Sequence, residues 1–240
     1  MTDTARPPTN ARPAPARLPR LFLWGGATAL AAGAALSGRP LLAFAALGAM
    51  ALAGLLPLYT RVSGIHMPRG LASGVLLYCL AAFVAGEAAG LYQSSAVWDL
   101  GLHVLSAMVL ALAGLALALL PTAGAPPRSA AWVLGVLAVG FAALVGAAWE
   151  LFEFSIDQIF GTNAQRSGLP DTMGDVAANL AGASYGAVAA QRRLRHGARW
   201  PLSGLLVSFC ARNPIIYGDW TERGFRANDG HDRAARQEAG

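Results

Sequence analysis

Apolar runs about twenty residues long recur along this chain, close to the length a helix needs to cross a hydrocarbon core roughly 30 Å thick. Six can be marked, at 21–37, 41–59, 71–90, 98–120, 131–160 and 171–190. Pro40, Pro68, Pro121, Pro126, Pro127 and Pro170 punctuate the connections, since a residue with fixed φ and no N–H interrupts a helix. A backbone in lipid has to satisfy its own polar groups, so such runs fold as helices. The predicted architecture is all-α, a polytopic transmembrane helix bundle of about six spans. Of the 240 residues 55% are hydrophobic and only 13% charged, too apolar for a soluble domain of this size. The fifth run is longer than a bilayer needs, so its polar end emerges into the interface or bends.

Arginine sets the orientation. With the N-terminus inside, cytoplasmic segments carry Arg6, Arg12, Arg17, Arg20, Arg61, Arg69, Arg128, Arg192, Arg193, Arg195 and Arg199, and outer loops carry only Arg39 and Arg166. That bias predicts an N-in/C-in topology. It also accounts for the net charge of +5 without a nucleic-acid partner, because the arginines sit at the ends of apolar runs. Residues 1–20 read as a disordered cytoplasmic tail, 21–59 as a transmembrane hairpin, 60–190 as a four-helix membrane core, and 191–240 as a basic stop, a surface segment and a disordered tail. A cleaved signal peptide would resemble the first forty residues. A retained helix is preferred, because the next apolar run follows directly after Arg39 and Pro40. The stretch 200–217 is too short and too interrupted to span, and is predicted to rest on the inner membrane surface. Cys79 and Cys210 build neither a disulfide framework nor a cysteine zinc site.

The acids are the informative residues. Of 13 Asp and Glu, seven fall between 87 and 175: Glu87, Asp99, Glu150, Glu153, Asp157, Asp171 and Asp175. Under the predicted topology all seven lie at the outer ends of helices three to six. Asp99 and His103 are four apart and share a helix face. Glu150, Glu153 and Asp157 stay within about 60° of one another at roughly 100° per residue. Asp171, Asp175 and Asn179 repeat every four, and Gly182 and Gly186 continue near that face in a G-x-x-x-G arrangement that admits a close neighbour. That face of helix six is predicted to point into the bundle. Helix rise puts Glu87, His103 and Asp175 roughly 5–6 Å below the outer boundary and Asn179 about 12 Å below it. Crowded carboxylates in low dielectric need protons, water or a cation. One imidazole among them suits a divalent metal: Mg²⁺, Mn²⁺, Zn²⁺ or Fe²⁺. The candidate ligands are Asp99, His103, Glu150 and Asp175, the candidate general bases Glu153 and Asp171, and Glu87, Asp157, Asn179 and Thr172 complete the polar site. Blander readings stand beside each. Asp171 could cap its helix with Thr172–Asp175 as a capping box, Glu150 to Asp157 could lie in water, and Trp98 and Trp149 suit interfacial anchors.

These motifs also carry a resemblance. L-P-L-Y-T-R…H-M-P at 56–68, Gly86–Glu87, W-D-x-x-x-H at 98–103, W-E-x-x-E-F at 149–154 and D-T-x-x-D at 171–175 resemble the YjdF-like bacterial inner-membrane proteins. A fainter similarity extends to VanZ-like proteins, which are associated with glycopeptide resistance. The resemblance covers about residues 45–190. It implies a compact helical domain, multi-pass in the bacterial cytoplasmic (inner) membrane, with Asp99, His103, Glu150, Glu153, Asp171 and Asp175 at the family positions, and it brings no established activity. The chain departs from the family where N-A-Q-R-S-G-L-P keeps Gln165 but lacks the acid of a Gln-Gly-Asp element, and where V-L-S-A follows His103. Asp157 is a candidate for the compensating charge.

Three functions compete. The first is a metal-dependent enzyme at the outer leaflet, acting on a lipid head group or a lipid-linked envelope precursor. The second is a cation-coupled transporter, disfavoured because the inner halves of helices three to six hold no ionisable residue except tyrosine. The third is a non-catalytic scaffold whose acidic rim binds a partner or a structural cation. No phosphate loop or H-E-x-x-H is present, and the oligomeric state is left open.

Overall fold

The computed structural model describes residues 17–95, 97–122 and 127–218, and every regular element among them is helical. A hairpin of α1 (Arg17–Leu36) and α2 (Pro40–Ser63) opens the chain. Gly38 at φ 66° makes its turn and Pro40 starts α2 at a position where the missing N–H costs nothing. α2 ends at Gly64, left-handed at φ 73°, whose N–H closes on the Thr60 carbonyl. α3 (Leu71–Ala88) is α-helical to Cys79 and π-helical from Leu80 to Ala88. A single turn, α4 (Leu91–Ser94), leads into α5 (Trp98–Thr122), α6 (Ala131–Phe160) and α7 (Leu169–His196). Two short helices follow, α8 (Gly204–Arg212) and α9 (Pro214–Tyr217).

Four helices, α2, α3, α5 and α6, are long and apolar enough to cross a membrane. The other two expected spans exist as helices of 20 and 28 residues. α1 begins in Arg17, Pro19 and Arg20, and α7 carries Asp171, Asp175 and Asn179 before ending in Arg192, Arg193 and Arg195. Their composition is what sets them apart. Leu41, Phe44, Leu47, Leu52, Leu55 and Leu58 are exposed on α2, an apolar surface suited to lipid rather than water.

α5 is the centre of the core, packed along α7 and α6. Association in lipid depends on close packing rather than water exclusion, and glycine and alanine supply it. A Cβ at Gly182 would strike the backbone of Val104, and one at Gly186 the backbone of Met108. Gly114 meets α6 in the same way, at the Ala138 carbonyl. The predicted close approach at G-x-x-x-G is therefore the α5–α7 seam.

The packing gives the bundle two chemically distinct ends. Glu87, Asp99, Glu150, Glu153, Asp157, Asp171 and Asp175 occupy helix termini at one end, and Arg61, Arg69, Arg192, Arg193 and Arg195 belong to termini at the other. At the arginine end the segment expected at the membrane surface is helical and packs on the bundle. Residues 204–217 dock on the bundle, where Leu206, Cys210 and Tyr217 share one core with Leu112, Leu115, Leu119 and Leu194. Asn213, also buried, accepts from the His66 N–H at 2.7 Å and donates to the His66 and Phe209 carbonyls at 2.9 and 2.8 Å. The Tyr217 hydroxyl donates to the Ala116 carbonyl at 3.1 Å. Pro121 explains that acceptor. It lacks the N–H that Leu117 would receive, the Leu120 N–H turns to Leu117 instead, and the Ala116 carbonyl is released. Burial pushes both the Cys210 thiol and the Tyr217 phenol up to about 12.

Candidate functional site

At the carboxylate end, three helices bring their acids to one histidine. His103 lies one turn inside α5 from Asp99, on the same face. The α5–α7 seam brings Asp175 against it, and the last third of α6 adds Glu150. His103 Nε2 lies 3.6 Å from Asp99 Oδ1 and 3.7 Å from Asp175 Oδ1, and Nδ1 lies 3.9 Å from Glu150 Oε1. All three separations exceed a hydrogen bond. His103, Glu150, Asp175 and Asn179 are buried. Glu150 is 5% exposed, and neither of its carboxylate oxygens has a hydrogen-bond partner among the described residues. The Asn179 Nδ2 is likewise unbonded and rests on Gly146, where a Cβ would come within 2.7 Å of it.

The two ring nitrogens divide the cluster. Ligand atoms of Asp99, His103 and Asp175 all lie within 4.8 Å of one another. Donors at about 2.0–2.2 Å from one ion lie at most roughly 4.4 Å apart, so a small contraction would let this trio hold a cation. Glu150 faces the opposite nitrogen. It therefore falls outside the set of atoms that can share one ion with Nε2, although the sequence placed it among the ligands. Its position is that of an acceptor for an Nδ1–H, the partner that fixes a metal-binding imidazole's tautomer.

Arg166 supplies a counter-charge that the sequence did not assign to the site. Its Nη1 donates to Asp99 Oδ2 at 2.9 Å, its Nη2 lies 3.6 Å from Glu87 Oε2, and its guanidinium sits 4.0 Å over the Tyr92 ring. Tyr92 in turn packs on Gly86, where any side chain would collide with it. The signal available in sequence was that Arg166 is the one basic residue in the loops flanking these helix ends.

The remaining candidates build that loop. Asp157 accepts from the Thr162 hydroxyl at 2.6 Å and from the Ala164 and Gln165 N–H groups at 2.7 and 2.9 Å. Gln165 Nε2 donates to Thr172 Oγ1 at 2.6 Å, and the Arg166 N–H donates to Asp171 Oδ2 at 3.1 Å. Asp157, Thr172 and Asp171 thus shape the segment that carries Arg166 and do not touch His103. The Thr172–Asp175 capping box does not form. Gly168, at φ 67°, is the N-cap, with no side-chain cap bond, and its carbonyl receives the Thr172 N–H. Glu87 sits on the π-helical turn, with its side chain 70% exposed. Glu153 accepts from the Trp149 indole at 3.0 Å. Glu153, Asp99, Glu87 and Arg166 line a cavity of about 740 Å³ that adjoins the histidine cluster through Asp99.

A family model described as "Predicted membrane protein (DUF2238)" matches residues 19–196, running from the first turn of α1 to the end of α7 and including every acid of the site. The chain belongs to this family. DUF2238 is the YjdF-like family of the sequence resemblance, whereas similarity to VanZ-like proteins is not part of the match. No curated protein and no solved structure matches the chain. As a DUF2238 protein it is a membrane protein with apolar helices, and its buried Asp–His–Asp cluster lies inside the matched region while α8 and α9 lie beyond it.

Proposed function

We propose that this DUF2238 protein is a six-span, N-in/C-in protein of the bacterial inner membrane whose outward-facing carboxylate end holds one divalent cation for chemistry on a lipid head group or lipid-linked precursor. One observation carries the reading. A trio of donors already within 4.8 Å of one another is backed by Glu150, a buried carboxylate with neither oxygen bonded. Asp99, His103 through Nε2 and Asp175 would hold the ion. Glu150 Oε1, 3.9 Å from Nδ1, would need to close by about 1 Å to accept the Nδ1–H, which would keep Nε2 unprotonated for the ion. An imidazole in the set favours Zn²⁺, Mn²⁺ or Fe²⁺ over Mg²⁺. Such an ion supplies Lewis acidity and an acidified water. Glu153, on the cavity wall and held by Trp149, is the general base. Asp171 was the other candidate base; its Oδ2 is occupied by the Arg166 N–H, which favours a positioning role.

The arrangement counts against transport. Beneath the cluster, α5, α6 and α7 meet through Ala107, Ala111, Ala142 and Ala183, a packed apolar floor without a polar path. The test is metal analysis of detergent-purified protein, wild type against His103→Ala. Near-stoichiometric metal in the wild type and its loss in the variant are expected. Metal-free wild type whose melting is unmoved by chelator would overturn the reading and leave a non-catalytic scaffold.

A further inference from the structure

The opposite end of the molecule carries a second site. A cavity of about 280 Å³ opens between the α2–α3 connection, the second half of α5 and the docked α8–α9 segment. Its wall is apolar, formed by Met67 and Leu71 at the α2–α3 connection, Ala113 and Leu117 of α5, and Phe209 and Ile216 of the α8–α9 segment. Water is a poor occupant, because a buried water needs two to four polar partners and the Tyr217 hydroxyl is already committed to Ala116. In a bilayer the apolar filler at hand is a hydrocarbon chain.

The lining segments carry the complementary chemistry. Arg61 lies two residues beyond Tyr59, Arg69 directly after Pro68, and Arg212 three residues beyond Phe209, and all three of those neighbours line the cavity. Arg61 and Arg69 are exposed, and the buried Nε of Arg212 has no hydrogen-bond partner among the described residues. No Asp or Glu occurs in 4–86, 100–149 or 176–218, so the elements forming this end bring no acid to neutralise them. An apolar hole whose lining segments carry arginines next to it in sequence fits a molecule with one long chain and one negative head, the pattern of basic pockets between membrane helices. We infer that this cavity binds an anionic phospholipid, acyl chain against Ala113 and Leu117, phosphate on Arg69 and Arg212. The site is independent of the cation reading, since it shares no residue with it. It ties the α8–α9 segment to the bundle through lipid as well as through Asn213.

Delipidated full-length protein is mixed with phosphatidylglycerol, phosphatidylcholine or inorganic phosphate and read by native mass spectrometry. Phosphatidylglycerol is retained, phosphatidylcholine is weaker, and inorganic phosphate does not compete. Each arginine is worth roughly a fivefold preference, the factor for about 1 kcal/mol per basic residue near an anionic head. Arg69→Gln with Arg212→Gln therefore erases the preference, Arg128→Gln on the α5–α6 connection leaves it, and Ala113→Trp removes both lipids by filling the cavity. If the tryptophan variant does not fold, the arginine pair decides. Equal retention of the two lipids by the wild type, competition by inorganic phosphate, or a preference that survives the double arginine change would overturn the assignment.

Discussion

Taking a carboxylate out of water without a hydrogen bond or a nearby cation costs several kcal/mol, and Glu150 is such a carboxylate, with His103 beside it. Its amide variant separates two explanations. If Glu150 serves bound cation through the imidazole, Glu150→Gln in chelator melts at or above the wild-type temperature, because a buried charge has been removed. In saturating Mn²⁺ or Zn²⁺ the wild type gains stability, by about 2.7 kcal/mol at a hundredfold excess over Kd, and the variant gains much less. A wild type that does not respond to metal, with Glu150→Gln strongly destabilised under both conditions, would mark the carboxylate as structural. The sequence grouped Glu150 with His103 by placing both at the same helix ends, and the two lie 3.9 Å apart. It could not tell which ring nitrogen would face it, because that depends on how α6 is rotated against α5. Arg166 was obscured for a related reason: its partner Asp99 is 67 residues away, and only the folded loop brings them together.

Helix α7 was the most legible element. Asp171, Asp175, Asn179, Gly182 and Gly186 repeat at nearly the helical period, so one face could be read directly from the letters, and Asp175, Asn179, Gly182 and Gly186 are all buried. The seam itself predicts a contrast between glycines. Gly182→Leu forces α7 off the Val104 backbone and lowers stability by about 1–3 kcal/mol or more, as overpacking does. Gly33→Ala, where nothing stands within 4 Å, is neutral or adds about 0.5–1 kcal/mol. Thermal unfolding in detergent reads both. The docking of α8 and α9 was not legible, because its acceptor exists only after Pro121 has released the Ala116 carbonyl, and Tyr217 is 101 residues from Ala116. Asn213→Ala breaks three bonds of that segment and exposes Cys210. A thiol at about 12 resists maleimide at neutral pH, whereas a released one returns to about 8.5. Labelling of the variant should therefore rise steeply between pH 7 and 9 while the wild type stays slow, and equal rates would show that Asn213 does not hold the segment.

At the scale of the whole molecule, the placement of acids and arginines pointed to the two-ended arrangement, and the apolar runs to six spans, of which four are helices long and apolar enough to cross a membrane. The composition of α1 and α7 kept the span count from being as plain. Topology is open to direct measurement. With Cys79 and Cys210 replaced, a single cysteine at Ser167 should react with an impermeant maleimide from outside intact cells, and one at Ser129 only after permeabilisation. The reverse pattern would invert the assignment of ends. His103 lies one turn into α5, which on the proposed outward-facing topology places it shallowly in the membrane. An ion travelling from the external solution to that depth crosses roughly 6 Å of a core about 30 Å thick. At about 2.3 kcal/mol per elementary charge for a full 100 mV, a doubly charged ion then feels only about 1 kcal/mol of the membrane voltage. Occupancy should hardly change between energised and de-energised cells, so the site would keep its metal through swings in proton-motive force.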